Sequence, residues 1–132
     1  MDIPREAVLL RIFIGEHHQF HHSPLYEAIV LKAREMHLAG ATVLRGLMGF
    51  GKSSRLHVAK RFKVSNDLPV VIELVDSREK IQAFLPIVDT MLDSGLMTLE
   101  RAEVINFTPD PPEHRHSRRS GFPCGGPRRD DH

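Results

Sequence analysis

The chain has 132 residues, 41% hydrophobic and 27% charged, which supports one packed domain with its own core and is too short for two. Eighteen basic side chains nearly cancel seventeen acidic ones, leaving a net charge of +1, so a general nucleic-acid binder is not indicated. A lone cysteine, Cys124, excludes an intrachain disulfide framework, and the apolar run Ala7 to Ile14 is far below the roughly 20 residues that span a bilayer; the expectation is a soluble, cytoplasmic protein that is not itself membrane-inserted.

The first element is the β-branched and aromatic run Ala7 to Ile14, a strand that ends at Gly15. After a loop over 16–23, Ser23-Pro24-Leu25-Tyr26-Glu27 has the make-up of a helix start, with Ser23 as N-cap and Pro24 at the first helical position. Leu25, Ile29, Ala33 and Met36 recur at helical spacing, so the helix is predicted to reach about Leu38 and to stop at Gly40. Ala41 to Met48 reads as a second strand closed by glycines. Leu68 to Val75 is the strongest strand signal and predicts a central strand, with Pro69 at its start or edge. Ser77 then caps a second helix in which Ile81, Phe84, Val88 and Met91 share one face; Pro86 is expected to bend or divide it, and Gly95 to end it. Met97 to Phe107 is the last strand.

The order β-α-β-β-α-β predicts an α+β ferredoxin-like sandwich over residues 1–108, with an antiparallel four-stranded sheet and both helices on one face. The other face would then be open, and burial by self-association is the expected remedy. From Pro109 the composition turns polar and rich in Pro and Gly, so residues 109–132 are expected to be a disordered tail.

Gly46-Leu47-Met48-Gly49-Phe50-Gly51-Lys52-Ser53 spells G-x-x-x-x-G-K-S, the phosphate-cradling pattern of P-loop enzymes. A strand precedes it, and Val70 to Asp76 imitates the strand and aspartate that hold magnesium in such enzymes. A P-loop must lead into a helix within a parallel sheet, however, and Ser54 to Lys63 has only a weak helical pattern with too little chain after it for the crossovers. The glycines then serve either close approach to an anion or simple turns. Arg45, Lys52, Arg55, Lys60, Arg61 and Lys63 form a stretch without an acid, suited to an anionic ligand or an acidic partner surface, or merely to solvent.

Pro24 to Val30, Leu38-Ala-Gly-Ala-Thr-Val-Leu-Arg-Gly46, Met48-Gly-Phe-Gly51, Leu68-Pro-Val-Val71 and Val75-Asp-Ser77 together resemble the PII-like family catalogued as domain of unknown function 190, over about Val8 to Val104. The resemblance implies a homotrimer of ferredoxin-like subunits whose loop between the second and third strands, residues 51–66, is the recognition element. It further implies an adenine nucleotide as candidate ligand, near Arg45, Gly46, Gly49, Phe50, Gly51, Lys52, Ser53 and Arg55, and a membrane transporter or channel as the partner class. Where PII proteins carry a second glycine- and lysine-containing phosphate loop, Ser94 to Arg101 has one glycine and no lysine.

His17, His18, His21 and His22 place four imidazoles in one loop, a pattern that permits metal chelation but lacks the paired spacing of a structural zinc motif; His21 is the one to single out. Glu73 and Asp76 read as a solvated face and a helix cap rather than as a general acid and base, and catalysis is not expected. The favoured function is a signalling protein that senses a small anionic ligand and contacts a partner through the loop. The alternatives are a ligand-free trimeric interaction module and a His-loop metal binder.

Overall fold

A computed structural model describes residues 3–51, 56–58 and 67–108. Four strands, β1 (Glu6–Gly15), β2 (Thr42–Arg45), β3 (Pro69–Asp76) and β4 (Leu96–Glu103), form one antiparallel sheet in the order β2-β3-β1-β4, joined by helices α1 (Leu25–Glu35) and α2 (Arg78–Met91). This is the predicted ferredoxin-like sandwich, with β3 and β1 central. Alternation puts Val8, Leu10, Ile12 and Ile14 of β1 and Val70, Ile72 and Leu74 of β3 on one face, where they bury against Leu25, Ile29 and Ala33 of α1 and Ile81, Phe84, Val88 and Met91 of α2.

Several boundaries differ from the sequence reading, each for a physical reason. Ser23 does not cap α1: Ser23–Pro24 pairs with Gln19–Phe20 as a short hairpin, Pro24 takes the cap position with no side-chain bond, and the Leu25 N–H donates instead to the His18 carbonyl at 2.8 Å. The helix stops before Gly40 is reached. His37 adopts a left-handed φ of 60°, and bonds from the His37 N–H to the Arg34 carbonyl and from the Leu38 N–H to the Ala33 carbonyl complete a Schellman motif that folds Leu38 into the core. β2 is shorter than the predicted 41–48 because its partner begins at Pro69, which has no N–H to carry the ladder on. Pro86 does not divide α2, which runs unbroken for 14 residues; its exposed position leaves the Gln82 carbonyl open to water while the opposite face stays anchored. That helix ends at Met91, four residues before Gly95, whose φ of 152° and 2.9 Å clearance between a notional Cβ and the Phe13 carbonyl belong to the turn into β4. β4 stops at Glu103 rather than Phe107 because β1 begins at Glu6, opposite Glu103, beyond which a single bond runs from the Val104 N–H to the Arg5 carbonyl.

Ser77 caps α2 as predicted, accepting from the Lys80 N–H at 3.3 Å. Asp76 does more than cap. Only 1% exposed, it accepts from the Ser77 N–H at 2.6 Å and from the Ala39 N–H at 2.8 Å, tying the α1–β2 connection to the end of β3. Lys80 reinforces this tie by donating to the His37 carbonyl at 3.0 Å.

The second sheet face carries neither helix. One cross-strand row, Leu44–Val71–Phe13–Leu96, spans all four strands and leaves Leu44, Phe13 and Leu96 exposed. The next row is polar: Thr42–Glu73–Arg11–Thr98. Arg11 donates from Nε to Glu73 at 3.3 Å and from Nη1 to Glu100 at 3.0 Å. The Glu73 hydrogen bond leads in raising the Arg11 pKa above its ordinary, already high value; desolvation opposes it and the Glu100 charge assists, so the guanidinium stays cationic throughout the pH range of the fold.

Candidate ligand and partner site

The candidate site gathers at one end of the sheet, where β1 ends, β2 ends and β3 begins. The Gly46 N–H donates to the Pro69 carbonyl at 2.7 Å and the Glu16 N–H to the Leu68 carbonyl at 2.8 Å, so both flanks of the 51–66 segment close on the same point. Met48–Gly49 pairs antiparallel with His57–Val58, making the stalk of a hairpin. Lys52, Ser53 and Arg55, most of the recognition loop, and the tail 109–132 lie outside the described residues.

The glycines separate into two kinds. A Cβ on Gly46 would lie 2.8 Å from Pro69 Cγ and 3.4 Å from the Pro69 carbonyl oxygen, and one on Gly49 would lie 3.0 Å from Pro69 Cγ. Those two glycines are therefore accounted for by the packing of the loop root onto Pro69. A Cβ on Gly51 would meet nothing within 4 Å, so nothing in the described chain requires glycine there. Gly46→Ala is accordingly expected to lose about 1 kcal/mol of unfolding free energy, the clash outweighing the usual gain from a stiffer unfolded chain. Gly51→Ala should be neutral or slightly stabilising, by up to about 0.5 kcal/mol. Urea unfolding of the two variants reads the difference, and equal effects would overturn this division.

Arg45, the predicted anion contact nearest the glycines, reaches Glu16 Oε1 at 2.9 Å and is otherwise largely solvent-exposed. Glu16 is the less exposed partner and is fixed through its own backbone, so the carboxylate sets where the guanidinium lies. Asp67, at the downstream root, accepts from the His17 N–H at 2.7 Å, and its carboxylate stands where a Cβ of Gly15 would be. The stalk also exposes apolar side chains, Leu47 at 79% and Phe50 at 71%, with Met48 and Leu56 beside them. Among the described residues of the root Arg45 is the cation, set beside the carboxylates of Glu16 and Asp67; with the open glycine and the exposed apolar groups it offers one anion contact and an apolar surface to a ligand or a protein.

The structure does not support the P-loop alternative. The sheet is antiparallel, and His57–Val58 turns back onto the glycine stretch instead of leading a helix away from it. Asp76 lies at the far end of β3 from Pro69, roughly 23 Å away at 3.3 Å per residue, with its oxygens bonded to backbone N–H groups.

The histidine loop is tethered at both ends, by the Glu16 and His17 backbone bonds and by the His18 carbonyl on α1. His21 takes a left-handed φ of 55° in the Phe20–Ser23 hairpin turn, its ring edge-on to Phe20 at a centroid distance of 4.3 Å. Among the described residues no group of three or more His, Cys, Asp or Glu side chains is placed to hold a metal, so His17, His18, His21 and His22 do not converge as a ligand set. A cavity of about 190 Å³ beneath the loop is lined by His18, Gln19, Leu25, Met91, Asp93 and Ser94. It is smaller than the several hundred Å³ of ordinary ligand pockets.

Glu16 and Asp67 are the site residues that sequence reasoning missed. Their signal was faint: an acid directly after a strand-ending glycine, and an acid directly before the Leu-Pro that opens the central strand.

Comparison with known proteins fits this architecture. The family profile of DUF190, described as "Uncharacterized ACR", matches residues 7–104. A UPF0166 protein of Aquifex aeolicus (strain VF5) is 42% identical over 97 residues, covering 74% of this chain and 91% of the relative. Among solved structures, CPII of Thiomonas intermedia K12, a nitrogen regulatory PII-like protein bound to ADP, AMP and bicarbonate, superposes with a TM-score of 0.56 at 15% identity, covering 75% of this chain and 94% of its own. A putative PII-like signaling protein of Thermus thermophilus gives a TM-score of 0.56 at 17% identity, over 79% of this chain and 93% of its own. The two solved structures establish likeness of fold. Among the described residues no helix is long and apolar enough to cross a membrane.

Proposed function

We propose that this chain, which belongs to the DUF190 family, is a PII-like regulatory protein that senses a small anionic ligand at the root of the 51–66 segment and contacts a partner protein through that segment. One observation supports the reading: both flanks of the segment close on Pro69 while Gly51, unlike Gly46 and Gly49, meets no described residue that would require it to lack a side chain. Arg45 supplies the described cation, and ligand entry exchanges Glu16 for the ligand's anionic group. An adenine nucleotide joins an anionic end to an apolar base, which suits Arg45 and the exposed apolar side chains of the root, and CPII, of like fold, holds ADP, AMP and bicarbonate. The working unit is a homotrimer, which covers the open sheet face and completes the ligand cleft between subunits, and the partner class is a membrane transporter or channel. We read the site as a sensor rather than a catalyst: of the two acids the sequence singled out, Glu73 pairs with Arg11 on the open sheet face and Asp76 bonds backbone N–H groups at the far end of β3, both away from the glycine root.

Thermal shift and calorimetry with ADP, AMP, ATP and bicarbonate, each added separately, test the ligand. A ligand at a hundred times its Kd adds about 2.7 kcal/mol to the native state, and Gly51→Ala, stable in its own right, should lose that gain. Absence of heat and of any shift with all four ligands would leave the competing reading, a ligand-free interaction module. Recovery of a partner from cell extract by the full chain, but not by a chain lacking residues 52–66, is the result expected for the loop; equal recovery would remove it from partner contact.

A further inference from the structure

The open face has one apolar row, Leu44–Val71–Phe13–Leu96; beyond it Arg11 sits between Glu73 of its own row and Glu100 of the next, where Glu100 is in line with Leu9 and Val75. Ionic groups in the middle of a face destined for burial need an account, because desolvating them is unfavourable unless their hydrogen-bonding capacity is filled. Among the described residues it is not filled. Arg11 spends Nε and Nη1, leaving the Nη2 donors over, while Glu73 and Glu100 each spend one oxygen, Oε1, and keep Oε2 as an acceptor. The cluster thus presents unused donors and unused acceptors together, which makes it complementary to another copy of itself. It also carries two carboxylates for one guanidinium, so two such clusters brought together without exchanging partners would repel.

We propose that Arg11 determines the register of self-association through this face, its unused donors being completed by the free carboxylate oxygens of Glu73 or Glu100 on a second copy. The inference rests on the homotrimer reading and names the contact that selects one arrangement from the many an apolar surface permits. A polar group at an otherwise apolar interface costs stability and excludes every register that leaves it unpaired. The flanking rows supply the area: Leu44, Val71, Phe13 and Leu96 on one side, Leu9 and Val75 on the other.

The test is charge-swap complementation on the full chain, read by sedimentation equilibrium. Arg11→Glu places three acids in one cluster, and Glu73→Arg combined with Glu100→Arg places three bases there. Each variant alone is expected at monomer mass, and a chain carrying all three substitutions, every copy of which again offers both signs, at the mass of the wild-type assembly. A triple variant that stays at monomer mass, or two variants that each keep the wild-type mass, overturns the inference. Because a swapped variant could misfold, Arg11→Lys serves as the second arm: it keeps the charge and loses the planar fork. It should raise the concentration at which the assembly dissociates at least tenfold, and an unchanged dissociation midpoint overturns the inference. A wild-type chain at monomer mass would instead overturn the homotrimer reading on which it rests, so the two failures are distinguishable.

Discussion

Asp76→Ala is expected to remove about 3 kcal/mol of unfolding free energy, because the side chain is buried and its two oxygens satisfy two backbone donors on different segments. A hydrogen bond to a charged acceptor contributes roughly 1.5 to 3 kcal/mol; water that reaches the partly buried Ser77 and Ala39 N–H groups in the variant offsets some of that loss. Asp76→Asn should cost less, about 1 to 2 kcal/mol, since the amide keeps one acceptor and turns an N–H toward the other donor. Urea unfolding with an unchanged m-value is the measurement, and a loss below about 1 kcal/mol for the alanine variant would show that the tie contributes little. Lys80→Ala, which removes the exposed bond to the His37 carbonyl, should fall within about 0.5 kcal/mol of wild type. The two variants together separate the buried anchor of the α1–β2 connection from its exposed one.

That connection also shows where sequence was legible and where it was not. The β3 run and the Ile81, Phe84, Val88, Met91 stripe were readable because burial imposes periods of two and 3.6 on the residues themselves. The end of α1 was not. Gly40 is the residue intrinsic preference selects for a left-handed stop, yet His37 takes that conformation because Leu38, one residue on, gains burial against the core. A left-handed histidine costs on the order of 1 to 2 kcal/mol, and burial of a leucine contributes roughly 1.5 to 3. The long-range term outweighs the local one, and no local pattern announces it. Ser23 failed as a cap for a similar reason, drawn into a hairpin with Phe20.

The candidate site was legible in its residues and illegible in their roles. A glycine that clears a phosphate and a glycine that clears a proline ring look alike in sequence, and the ring that meets Gly46 and Gly49 belongs to Pro69 on a different strand. Glu16 on Arg45 and Asp67 on His17 are contacts across sequence separations of 29 and 50 residues, set by the sheet order rather than by any motif. Gly51 differs from both: among the described residues nothing stands where its Cβ would be.

The largest expected effect belongs to the open face. Leu44→Glu should dissociate the proposed homotrimer to monomers at micromolar concentration while leaving each subunit folded. Leu44 is 50% exposed in the single chain, in line with Val71 and Phe13, so its remaining apolar area is available for burial between copies. Losing that burial and placing a carboxylate in the contact costs about 2 kcal/mol per copy at least, and over three copies on the order of 6 kcal/mol, roughly a 10⁴-fold fall in the association constant. The new acid also lies on the same face as Glu73, which adds repulsion. Leu31→Glu is the matched control: Leu31 is 54% exposed on α1, on the helical layer rather than the open sheet face, and its replacement should leave the mass unchanged. Sedimentation equilibrium on both variants decides the matter. An intact assembly with Leu44→Glu, or dissociation with Leu31→Glu, would place the subunit contact elsewhere, whereas dissociation confined to Leu44→Glu makes the helix-free face the one that copies share.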